Sequence, residues 1–185
     1  MRDSLHARLR ETTAPAHEAL ERDLDWEARV ATLPGYRDLL IRLRGFHAAY
    51  EPVIGIALAD APFFDPRRRL PSLDADLHAL DGPAPDTLPA PAAPRLDSPG
   101  AALGALYVLE GSTLGGAVIG RHVARLHGAG VPLAYYAGRG RATGPLWQAF
   151  RERLDGLPEA EADAAFAAGI ATFEAMRGWL VLGAG

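Results

Sequence analysis

The chain has 185 residues and 19.7 kDa, 49% of them hydrophobic and 23% charged, proportions that suit one folded domain around one core. Its 19 basic residues are all arginine and face 23 acidic ones, so the formal charge of −4 argues against nucleic acid as a partner. With no cysteine, disulfides, thiolate metal centres, iron–sulfur clusters and cysteine nucleophiles are excluded.

The amino terminus is charged and amphipathic from Arg2 onward and lacks the apolar core of a secretory signal. The apolar stretches from Pro52 to Ala59 and from Ala101 to Leu109 fall short of the roughly 20 residues that span a bilayer. The expectation is a cytoplasmic protein with no membrane segment. Apolar residues recur at helical spacing and β-branched runs are almost missing, which predicts an all-α fold. In the first segment Leu5, Leu9, Ala16, Leu20 and Leu24 form one stripe, with Ser4 or Asp3 placed to cap its start. Pro15 has no amide hydrogen for the Glu11 carbonyl, so a kink or short break is expected just before His17.

A second helix opens at Pro34 and runs through Leu39, Leu40, Leu43, Phe46 and Tyr50 toward Leu58, bent by Pro52 and Gly55. The run Arg67-Arg68-Arg69 reads as a solvated loop. Asp81 to Pro99 holds six prolines, and reads as an extended surface connection within one domain of residues 1–185 rather than a boundary between two. Ser98 and Pro99 make a helix start, serine capping and proline in the first turn, for a helix over Ala101 to Leu126. Two further helices follow near Pro145 to Leu154 and Pro158 to Leu180. No heptad seam is present and the net charge is moderate, so a monomer is expected.

Glycines at 111, 115, 116 and 120 interrupt the helix that starts at Pro99, each costing roughly 1 kcal/mol against alanine. Two readings account for that cost: close helix–helix packing through small residues, or a flat ligand lying against exposed backbone. His17 is the second candidate. Glu21, one turn on, can accept its imidazole hydrogen and leave the other nitrogen free for a metal, while Arg10, two turns back, can meet an anionic group on the same ligand. A structural histidine between two surface charges is the competing reading. No Glu-x-x-His occurs, His122 and His127 are five apart, and His6, His47 and His78 show no carboxylate at useful spacing, so all five read as structural or surface residues.

Two motifs carry a family resemblance: Leu9-Arg-Glu-Thr-Thr-Ala-Pro-Ala-His-Glu-Ala-Leu-Glu21 and Tyr107-Val-Leu-Glu-Gly-Ser-Thr-Leu-Gly-Gly116. In this order, in a cysteine-free helical chain of this length, they resemble a bacterial heme oxygenase of the kind paired with a bacteriophytochrome. The resemblance implies heme b, as cofactor and substrate, sandwiched between a proximal helix and a glycine-rich distal helix. It implies His17 as the axial iron ligand, Glu21 as that ligand's partner, and Arg10 and Arg151 as propionate contacts. Gly111, Ser112, Gly115 and Gly116 are then the catalytic distal segment over porphyrin and bound oxygen. Ser112 stands where many mammalian-type members carry an aspartate that organises water, so proton delivery is expected to use backbone groups, Ser112 and water. The implied activity is cleavage of heme, with O2 and electrons from a ferredoxin or flavoprotein reductase, to biliverdin, carbon monoxide and ferrous iron. A heme carrier or sensor without chemistry, or a thiaminase-like or cofactor-synthesis relative of the same bundle, are the alternatives.

Overall fold

The computed structural model describes residues 4–182, apart from the side chains of Thr113, Leu114 and Leu182, and among the described residues all regular structure is helical. Helix α1 spans Leu5–Leu24; the Ser4 hydroxyl accepts from the Ala7 amide at 3.2 Å, while Asp3 lies outside the described residues. The break expected at Pro15 does not occur. The unpaired Glu11 carbonyl stands on the exposed side, and the buried residues Leu5, Leu9, Thr13 and Leu20 hold both halves of the helix on the core. Asp25 ends it in the left-handed region, with φ 42°, and the short α2 (Trp26–Arg29) follows.

Helix α3 runs over Leu33–Leu58, capped by the Thr32 hydroxyl on the Gly35 amide at 3.1 Å, and stays continuous through Pro52. Two short helices, α4 (Ala61–Phe64) and α5 (Leu70–Ala79), were not predicted, because they fall among prolines and arginines. The proline-rich connection is extended apart from one turn at Pro85–Thr87, and lies on α3, where the Pro89 carbonyl covers Gly45. Helix α6 covers Pro99–His127 with Ser98 as its cap, as read from the sequence. Helices α7 (Thr143–Asp155) and α8 (Ala162–Arg177) complete the bundle, with a π turn over Gly178–Leu182 closing against α3 through a Trp179 Nε1 hydrogen bond to the Arg42 carbonyl at 2.7 Å.

Three helices meet where side chains are smallest. A Cβ on Gly104 of α6 would fall on the Ala165 backbone of α8, and one on Gly169 would stand 3.0 Å from Thr13 and 3.1 Å from Leu9 of α1. Around this crossing Phe46, Phe150, Leu103 and Leu106 are almost fully buried. Helix α6 corrects one expectation: it is long and apolar enough to cross a membrane, but 56% of its most apolar window is buried inside the bundle, which accounts for its composition.

Gly104→Ala is expected to cost about 3 kcal/mol, the upper end for overpacking, because the obstruction is main chain that cannot rotate away. Gly144→Ala in α7, where a Cβ meets nothing within 4 Å, should cost nothing, and urea unfolding of the two variants checks the contrast.

Candidate active site

Held on α8 at that crossing, α1 and α6 line a cavity of about 800 Å³, a size typical of small-molecule sites. The α1 wall presents His6, Arg10, His17 and Glu21, and the α6 wall presents Gly111, Ser112, Gly115 and Gly116. Seven of the eight residues selected from the sequence therefore share one cavity. Arg151 is not among its lining residues: it sits on the exposed side of α7, near enough for its charge to act on His6. Leu39, Leu43, Tyr107, Trp147, Phe173 and Met176 make much of the remaining wall apolar.

His17 is half exposed to the cavity, with its ring against Phe173 at 5.1 Å between centroids. Its Nε2 lies 3.3 Å from Glu21 Oε1. A carboxylate one turn away is the kind of partner that orients a metal-binding imidazole and leaves its other ring nitrogen for the metal.

The four glycines divide between the two readings. A Cβ at Gly111 or Gly115 would meet nothing within 4 Å, so these two present bare helix backbone to the cavity. At Gly116 and Gly120 a Cβ would lie 3.3 Å and 3.0 Å from Tyr136, so this pair is a packing surface for that ring. The Ser112 hydroxyl donates to the Leu109 carbonyl at 2.7 Å, bonding within its own helix as helical serines do.

Behind Tyr135 and Tyr136 lies a set of buried charges that corrects two expectations. Arg67 and Arg69 are not solvated: they are 4% and 3% exposed. Arg69 donates to the carbonyls of Tyr135 and Gly138, and Arg139 donates to Glu110 at 2.7 Å and to the Arg67 carbonyl at 2.6 Å. Asp76 accepts from the amides of Ala134 and Tyr135 at 2.7 and 2.8 Å. His47 does have a carboxylate at useful spacing, Glu51 one turn on, with Nδ1 2.9 Å from Glu51 Oε1 and Nε2 3.2 Å from the Tyr135 hydroxyl. Glu51 also accepts from the Arg69 amide at 2.7 Å. Arg67, Arg69 and Arg139 thus balance Glu51, Asp76 and Glu110. Burial pushes the Glu110 and Asp76 carboxyls above the usual carboxylate range, the arginines and amides opposing it only in part. Burial likewise raises the Tyr135 phenol, against an opposing hydrogen bond with Ser112.

No family model matches the chain. A heme oxygenase from Xanthomonas campestris pv. campestris (strain 8004) is 49% identical over 55 residues, which are 30% of this chain and 31% of that protein, so the match spans about a third of the relative's length. A solved structure of the NO- and CO-bound heme oxygenase from Neisseria meningitidis superposes with a TM-score of 0.72 at 22% identity, over 97% of this chain and 91% of that one. The chain therefore has the all-α fold of that structure.

Gly115→Ala is expected to raise stability by up to about 1 kcal/mol through helix propensity, whereas Gly120→Ala should lower it by pressing on Tyr136; thermal melts separate the two. Glu110→Ala leaves Arg139 and Arg67 buried beside a lost partner and should cost about 3–5 kcal/mol in denaturant unfolding.

Proposed function

We propose that the chain is a bacterial heme oxygenase that binds heme b as cofactor and substrate. With O2 and electrons from an external ferredoxin or flavoprotein reductase, it would open the ring to biliverdin, carbon monoxide and ferrous iron, the biliverdin being available to a bacteriophytochrome. The observation that carries this reading is the placement of His17, with Glu21 beside it, in the same apolar cavity as two glycines whose bare backbone faces inward. The cavity fits the group: it has one imidazole donor, an apolar lining for a flat macrocycle, and Arg10 for a carboxylate.

Heme, when bound, supplies the iron at which oxygen is activated and the ring carbon that is oxidised. Everything else falls to the protein. His17, with Glu21 beside it, would offer iron an imidazole nitrogen rather than the strongly donating thiolate that favours O–O cleavage. Gly111 and Gly115 let a planar ligand approach the α6 backbone where any side chain would hold it off. Phe173, Met176, Leu39 and Leu43 exclude water from the ring faces. Tyr135 lines the cavity wall with its phenol kept protonated by burial, its hydroxyl 3.2 Å from Nε2 of His47, whose Nδ1 lies 2.9 Å from Glu51. The Ser112 hydroxyl donates to the Leu109 carbonyl, and its oxygen, with nearby backbone groups, can order water for proton delivery.

Hemin added to the purified protein should give a Soret band that His17→Ala shifts, and reductant with air should yield biliverdin and carbon monoxide. Glu21→Gln should weaken heme binding or turnover about 10–100-fold by loosening the imidazole. Absence of a heme complex in the wild type overturns the reading, and a stable complex that never opens the ring identifies a carrier or sensor instead.

A further inference from the structure

His6 is a cavity-lining side chain that the reading above leaves without a task. It lies one turn before Arg10 on the same face of α1, and its placement does not depend on the imidazole nitrogens. Its backbone N–H donates to Asp155 Oδ1 of α7 at 2.9 Å, and its ring stands edge-on to Trp147 and Tyr107, at 5.5 and 6.0 Å between centroids. Among the described residues neither ring nitrogen is recorded in a hydrogen bond, so both stay available to a ligand.

We propose that His6 is a second anchoring group, beside Arg10, for a carboxylate of the bound ligand, and that it takes up a proton from solvent as the carboxylate arrives. The inference rests on the porphyrin reading, since heme carries two free carboxylates. The charged and titratable groups around His6 are Arg10 on its own helix, Arg151 and Asp155 on α7, and Tyr107 on α6. Burial first, then Arg151 and Arg10, lower the imidazole from its ordinary value, and Asp155 opposes them, so His6 is neutral near pH 7 without a ligand. Tyr107 stays neutral as well, its phenol raised by burial. A carboxylate between Arg10 and His6 supplies the negative charge this pair lacks and restores the proton.

The linkage has a definite sign. Proton uptake on binding makes the complex tighter as pH falls through the window between the lowered empty-site value and the higher bound value, by at most about tenfold per pH unit for one proton. The test uses metal-free protoporphyrin IX, which removes any contribution of the iron, followed by its absorbance and fluorescence. Wild-type protein should bind it about tenfold more tightly near pH 6 than near pH 8. His6→Gln and His6→Phe, the latter keeping the aromatic contacts, should lose that gain, and the dimethyl ester should show no pH dependence with any of them. An unchanged slope in both variants, with circular dichroism showing both folded, overturns the inference and leaves the porphyrin reading standing. Failure of the wild type to bind either hemin or protoporphyrin IX overturns both.

Discussion

The structure depends on one close approach, where Gly104 of α6 meets the Ala165 main chain of α8 and Gly169 of α8 receives the Leu9 and Thr13 side chains of α1. Because α8 is bare at Gly169 and α6 is bare at Gly104, α8 holds both other helices at this level. Dispersion and burial at such a contact depend on distances of a few tenths of an ångström. Helices α1 and α6 are left to line a gap, with His17 on one side and the glycine segment on the other.

The second constraint is electrostatic. Buried ion sets are a poor source of stability, since apolar residues of the same volume often do as well or better. What this set does is end on the main chain of residues 134–139: Asp76 on two amides, Arg69 on two carbonyls, Arg139 tying that segment to α6 through Glu110. Its product is a fixed loop that presses Tyr136 onto Gly116 and Gly120 and points Tyr135 at the cavity. A segment with little regular structure becomes a wall as well placed as a helix.

Much of this could be read from the residues in order. Helical periodicity and the Ser4, Thr32 and Ser98 caps place the long helices, and the turn spacing of Arg10, His17 and Glu21 places them on one face. The same arithmetic extended one turn back would have found His6, and applied to His47 it would have found Glu51. What stayed hidden depends on pairing across long separations. Arg67-Arg68-Arg69 reads as solvated because three of the partners that bury it, Glu110, Tyr135 and Leu146, lie far along the chain. Pro15 looks like a break because local sequence cannot show that tertiary burial of Leu9, Thr13 and Leu20 keeps the helix whole.

The unequal surroundings of the four glycines separate two properties that are usually entangled. Gly116 and Gly120 belong to the scaffold, and enlarging them disturbs the fold. Gly111 and Gly115 are small for no reason the scaffold supplies. The ceiling of the chamber can therefore be lowered methyl by methyl with the framework intact, so a graded series at these two positions would tune which edge of a guest ring is admitted while leaving the host's resistance to unfolding as it was or better.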